Sequence, residues 1–331
     1  MIGTAVVGLG VGEQHARTYA ADSRVKLLWL HDLDRQRAER LAGELGARVA
    51  ADYAMILGDP AVQAVSIASF DDAHFAQARD ALRAGKHVFV EKPLCTELSQ
   101  LAELKALWAK SGGRLKIGSN LVLRTAPAYR ALKRKIRDGE LGTLYALDGD
   151  YLYGRLHKIT GGWRGEGRYS VMLGGGIHLV DLMLWLTGER PRRASAAGNR
   201  ISTAGSGFRD DDFRAATLEF DSGLVARISA NFGCVHAHQH VLRVFGTRAT
   251  FLYDDQGPRL HESREPGQAP SRLDLPALPA RKGELIPEFL DAIAGGDGYD
   301  AVAQSFFDGI AICLAADRAA EKRSPQDIEY V

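Results

Sequence analysis

Cysteine is scarce in this chain: three among 331 residues, at positions 95, 234 and 313, far apart and in no CxxC or Cys/His ligand spacing. That argues against a disulfide framework and a zinc site, and it fits a reducing cytoplasm; no metal is expected. Charge of one sign is lacking too. The 42 Lys and Arg against 41 Asp and Glu leave a formal net charge of +1 with no block of five or six like charges, so neither nucleic acid nor an anionic membrane is an expected partner. No apolar run approaches the ~20 residues that cross a bilayer. The opening MIGTAVVGLG has no charged n-region or small-residue cleavage site, and a soluble protein is expected.

What is present is ordinary globular composition, 46% apolar and 25% charged, with length for two domains of roughly 100 to 200 residues. Up to Asn120 short apolar runs alternate with amphipathic ones. GTAVVGLG, VKLLWLHD, AVQAVSIAS, residues 87 to 90 and RLKIGSN read as strands; 13 to 21, 34 to 46, 73 to 84 and 97 to 110 read as helices. Strands apolar on both faces, alternating with helices, predict a doubly wound parallel sheet of Rossmann type over residues 1–120. Residues 121–331 change rhythm. APAYRALKRKIRDGELG reads as a helix, YALDGDYLYG alternates, and FRAATLEF and LVARISANF are separated only by Asp221, Ser222 and Gly223, a hairpin composition. With HVLRVFG and RATFLYD they predict a C-terminal α/β domain with a largely antiparallel sheet. Six of the eleven prolines fall between Pro258 and Pro287, marking an extended loop before helices at about 284 to 294 and 300 to 321.

Three motifs carry chemistry. In VVGLGVGEQHA, Gly8, Gly10 and Gly12 stand between the first strand and the first helix, and Asp32 ends the next strand. Glycines there allow a tight turn and close approach of a pyrophosphate to the helix N-terminus, and the carboxylate can accept from a ribose hydroxyl. In GKHVFVEKPLC a buried strand stops on Glu91, Lys92 and Pro93. Alone, that is a solvated strand end. At the carboxyl edge of a parallel sheet it is a lysine held extended by the proline and aimed at a ligand. In GGGIHLVDLMLWLTG the only ionisable side chains between Ile177 and Leu186 are His178 and Asp181, on one face of an apolar helix. Either they satisfy each other or nearby backbone, or His178 contacts a substrate hydroxyl and Asp181 orients it.

Together, SFDDAHFAQARDALRAGKHVFVEKPL, VVGLG and GGGIHLVDLMLWLTG resemble the Gfo/Idh/MocA family of oxidoreductases, in the family's order and over nearly the whole chain. The resemblance implies NAD(P)-dependent oxidation of a hydroxyl on a sugar, cyclitol or nucleotide sugar, with NAD preferred because a 2′-phosphate would meet the Asp32 carboxylate, a cis Lys92–Pro93 peptide, and a homodimer or homotetramer formed through an open C-terminal sheet. It implies Lys92 as general acid/base and His178 as the residue positioning the hydroxyl. The cofactor, NAD, is expected at Gly8, Leu9, Gly10, Val11, Gly12, Asp32, Ser69, Phe70, His74, Glu91, Lys92, Trp163 and Arg164. The substrate is expected at Asn120, Arg124, Tyr151, Tyr153, His157, His178 and Asp181. Glu91 is expected to point away from Lys92, since its charge would hold the lysine protonated.

Three positions depart from the family pattern. The glycine turn is one residue shorter before His15, with Gly12 standing for the usual third small residue. Phe70 follows Ser69 where many members have proline. Gly174 occupies the place, four residues before His178, where members often carry Asp. The incomplete set leaves two alternatives open: a glycosidase of the same fold that keeps NAD tightly bound, and a dinucleotide sensor without turnover.

Overall fold

The computed structural model of the protein describes residues 1–166, 168–275 and 282–331. Its first unit comprises Met1–Val122 together with the helices that run up to Ile310. Here β1 (Ile2–Val7), α1 (Gly12–Ala21), β2 (Val25–His31), α2 (Arg35–Leu45), β3 (Arg48–Val49), α3 (Tyr53–Gly58), β4 (Ala64–Ile67), α4 (Asp71–Arg83), β5 (His87–Val90), α5 (Leu98–Lys110) and β6 (Ile117–Ser119) alternate. Among the described residues they form a six-stranded sheet of order β3-β2-β1-β4-β5-β6, parallel throughout. Local chemistry sets the boundaries. The Asp34 carboxylate accepts from the Arg37 N–H at 3.0 Å to cap α2, and Gly46, at φ +70°, ends it in the left-handed conformation. Val88, Phe89 and Val90 of β5 are fully buried, each stabilising the fold by roughly 1.5–3 kcal/mol. Phe289 of a later helix, α10 below, packs on Phe89 with ring centroids 5.5 Å apart.

The second unit holds Leu123 onward, less the segment returned to the first, and recovers the chain from Ala311 to Tyr330. It is therefore not simply all that follows residue 120. Its elements are α6 (Pro127–Arg137), β7 (Leu144–Leu152), α7 (His157–Thr160), α8 (Trp163–Glu166), α9 (Ile177–Thr187), β8 (Pro191–Asn199), β9 (Phe213–Phe220), β10 (Val225–Asn231), β11 (Gln239–Gly246), β12 (Thr250–Asp254), β13 (Gly257–His261) and β14 (Ser271–Arg272). After α10 (Ile286–Ile293), which lies in the first unit, α11 (Tyr299–Lys322) leads back to β15 (Gln326–Asp327). Among the described residues a nine-stranded sheet runs β14-β13-β12-β11-β7-β10-β9-β8-β15.

This sheet is mixed: β10 runs parallel to β7, while its other pairings are antiparallel. The β9–β10 hairpin closes as expected on Gly223, at φ +86°. The expected loop from 258 to 287 instead contains two strands, β13 and β14, while residues 276–281 of it lie outside the described residues. Along β10, Ala226, Ile228 and Ala230 are buried and Val225, Arg227 and Ser229 are not, so helices cover one face and the other stays open. Between Met172 and Gly176 the backbone forms a π-helical turn that runs straight into α9.

Candidate active site

In the first unit every parallel strand ends at the same edge, so Gly8, Asp32, Ser69, Lys92 and Asn120 follow β1, β2, β4, β5 and β6 along one line. The glycines of the first turn are required for different reasons. Gly8 sits at φ +80°, and a Cβ on it would stand 2.5 Å from the Ala68 backbone. On Gly10 a Cβ would meet nothing within 4 Å, so its backbone faces open space. Among the described residues no side chain caps the N-terminus of α1, an arrangement that suits its dipole to an anionic ligand. Asp32 braces this turn: Oδ2 accepts from the Leu9 N–H at 2.5 Å and Oδ1 from the Asp34 N–H at 2.7 Å. A carboxylate has about four acceptor positions, so ribose hydroxyls can still be received beside the amides. The turn, the uncapped helix start and the acceptor at the next strand end fit a dinucleotide.

Glu91 turns inward. Glu91 is buried, its Oε1 accepting from Asn120 Nδ2 at 2.6 Å and lying 3.2 Å from His15 Nε2. Burial alone would raise its carboxyl; the His15 ring, the Lys282 charge and the Asn120 amide together hold it down at about 2. Asn120 Oδ1 in turn accepts from the Gly283 N–H at 3.4 Å, and His15 Nδ1 lies 2.8 Å from Ser66 Oγ. Glu91 and Asn120, expected at the cofactor and the substrate, thus share a hydrogen bond at the ends of β5 and β6. His74 has internal partners too. It is fully buried, with Nδ1 2.7 Å from the Pro93 carbonyl and Nε2 3.1 Å from the Ser69 carbonyl, so it braces the two turns. Ser69 Oγ donates to Gln77 at 2.6 Å, and Phe70 projects with 48% of its surface exposed. The Lys92–Pro93 peptide is cis.

In the second unit the paired reading of His178 and Asp181 does not hold. Arg124 binds Asp181 in bidentate fashion, Nε donating to Oδ2 at 2.8 Å and Nη2 to Oδ1, with Asp181 completely buried. Burial pushes the Asp181 carboxyl up, against the pull of the Arg124 charge. Asp181 is thus paired with Arg124 rather than with His178. His178 instead stacks on Tyr151 at 6.0 Å and meets His240 edge-on at 5.6 Å. Tyr151 also stacks on Tyr153 at 5.9 Å and packs on Phe232 at 5.6 Å. Burial, with Tyr153 nearby, raises the Tyr151 phenol. Trp163 packs edge-on to Tyr169, and the Arg164 guanidinium lies 4.4 Å over the Trp163 ring. His157 is exposed at the start of α7.

Residues absent from the sequence reading join this wall. His238 lies 4.9 Å from His240 and 5.2 Å from Tyr151, ring to ring. The signal was legible: HAHQH enters β11 with a histidine at every second position, which in a strand shares one face. Tyr169 carried no such signal. Among the described residues no cluster of His, Cys, Asp and Glu is arranged to hold a metal ion, and no helix is long and apolar enough to cross a membrane.

Residues 2–119 match the family model described as oxidoreductase family, NAD-binding Rossmann fold, and residues 129–252 match the GFO/IDH/MocA C-terminal domain. An inositol 2-dehydrogenase of Acidothermus cellulolyticus is 29% identical over 325 residues, covering 96% of this chain and 91% of that protein. A scyllo-inositol 2-dehydrogenase (NAD(+)) of Bacillus subtilis is 28% identical over 257 residues, 75% of this chain and 72% of that one. A levoglucosan dehydrogenase solved with NADH superposes with a TM-score of 0.84 at 19% identity, covering all of both chains.

Proposed function

Because the chain belongs to the Gfo/Idh/MocA family of NAD-binding oxidoreductases, we propose that it is an NAD-dependent dehydrogenase oxidising a secondary hydroxyl of a sugar or cyclitol. The observation that carries this reading is the placement of Lys92 at the end of β5, on the same sheet edge as the glycine turn and Asp32. Bound NAD supplies a hydride acceptor. The backbone of Gly8 to Gly12 and the start of α1 hold its pyrophosphate, Asp32 accepts from the adenosine ribose, and Ser69 and Phe70 form a wall. The Lys92 amino group takes the proton of the reacting hydroxyl. Glu91 is held by His15 and Asn120. His178, fixed by its stack on Tyr151, positions the hydroxyl, with Tyr153 offering a further polar edge. The relatives that are named for inositols favour a polyhydroxylated ring as substrate.

The open face of the second sheet pairs with a second copy of the chain. It carries Tyr145, Val225 and Phe245 beside the internally paired Arg227 and Asp148. Three cysteines free of disulfides fit a cytoplasmic setting.

The test is a panel of sugars, inositols and nucleotide sugars with NAD, followed by NADH absorbance, on wild type and Lys92→Ala. Loss of a general acid–base group should lower turnover by about 10²- to 10⁴-fold, with melting temperature and NAD affinity unchanged. Full activity in the variant would return Lys92 to a charged strand end. NADH formed only on the protein and never in bulk solution would favour the glycosidase alternative.

A further inference from the structure

The glycines at 174 and 175 do not open a space at the site, because two tyrosine rings fill it. A Cβ on Gly174 would stand 2.0 Å from the Tyr169 hydroxyl oxygen and 2.4 Å from its Cζ, and one on Gly175 would meet the Tyr151 ring at 2.4 Å. Since real Cβ contacts essentially never fall under 3.0 Å, the phenol of Tyr169 occupies the volume that a side chain at 174 would need. The π-helical turn at Met172–Gly176 continues into α9, so positions 174 and 178 lie one turn apart on one face. Tyr169 is firmly held. Its backbone N–H donates to Asp210 at 2.6 Å, its ring packs on Phe232 at 5.8 Å and Trp163 at 6.2 Å, and 8% of its surface is exposed. Phe232 and Tyr151 connect it to His178 as one wall.

We propose that Tyr169 is a substrate-contacting residue of this site, its hydroxyl replacing the side chain that Gly174 lacks and hydrogen-bonding the polyol beside the hydroxyl that His178 positions. The proposal rests on the dehydrogenase reading. A phenol both donates and accepts, whereas an ionised carboxylate only accepts, so the exchange of a side chain at 174 for Tyr169 alters which substrate atoms the site can engage without leaving it empty.

Tyr169→Phe removes the oxygen and keeps the ring. With the best substrate among myo-inositol, scyllo-inositol and levoglucosan, kcat/KM should fall about 10- to 100-fold, while melting temperature and NAD affinity stay at wild-type values. A tyrosine that only packs would not move kcat/KM. Independently of turnover, Gly174→Asp alone should lower the melting temperature through collision with the phenol. Combining it with Tyr169→Ala should relieve that added penalty. Wild-type kcat/KM in Tyr169→Phe overturns the proposal, and so does a Gly174→Asp penalty that is the same with or without the Tyr169 ring. Failure of the dehydrogenase reading looks different: the wild type itself would neither reduce NAD nor bind any of the three polyols, and the proposal would fall with it.

Discussion

Glu91 is buried among polar partners, and what they contribute can be measured. The Glu91 carboxyl is held at about 2 against an ordinary 4.5. Because the folded value lies below the unfolded one, the stabilisation is fully present above pH 4.5 and is lost as pH falls toward 2. That separation corresponds to about 3 kcal/mol. Glu91→Gln should therefore lower unfolding free energy at pH 7 by about 3 kcal/mol and flatten the acid limb; urea titrations at neutral and acidic pH read both. Equal wild-type and variant stability at neutral pH would contradict the buried pair. The two charges were visible in EKP, but not the partners of Glu91. His15 and Asn120 are 76 and 29 residues away in the chain, and no local pattern links them. Arg124 and Asp181 make the same point: an i, i+3 spacing offered His178 as the partner, while the structure supplies an arginine from 57 residues upstream.

The turn between β1 and α1 separates two glycines by what surrounds them. Gly8→Ala forces a left-handed backbone on a residue with a Cβ and drives that Cβ into the Ala68 backbone, so it should cost at least about 1–3 kcal/mol and lower the melting temperature. Gly10→Ala adds a methyl in open space. It should leave the melting temperature alone and weaken NAD binding, because that space is where the pyrophosphate approaches. Calorimetry on both variants decides, and unimpaired NAD affinity in Gly10→Ala would move the phosphate site elsewhere. Elements with strong local signals were legible: α2 with its Asp34 cap and Gly46 stop, β9 and β10 with a glycine turn between them. The misses lacked such signals. β8 reads PRRASAAGN, built of small and charged residues without large apolar alternation, and becomes a strand through its pairing with β9. The π turn at 172–176 has two tyrosine rings seated on its glycines, a tertiary contact invisible to periodicity.

At the scale of the molecule, five strands of the parallel sheet were readable because apolar runs alternate with amphipathic ones, whereas the two-residue β3 and the parallel β7–β10 pairing were not. β7 and β10 are separated in the chain by α7, α8, α9, β8 and β9, and only the assembled sheet determines their direction. That sheet has one uncovered face. It carries two shallow grooves, of about 400 and 330 Å³. Arg227 satisfies Asp148, and Asp150 receives both Ser229 and Arg243, so the charges on this face are largely neutralised within it. Tyr145, 52% exposed, lies 6.3 Å from Phe245, ring to ring, and Val225 is 40% exposed beside them. Paired charges around exposed apolar side chains are compatible with burial against an identical surface. The wild type should therefore sediment as a dimer or tetramer at micromolar concentration. Val225→Glu places an unpaired carboxylate where a second copy would have to desolvate it, and should shift the protein to monomer while far-ultraviolet circular dichroism and NAD affinity remain unchanged, since the substitution points away from the helix-covered face. A wild type that sediments as a monomer, or a Val225→Glu variant with unaltered assembly, would remove this face from the interface.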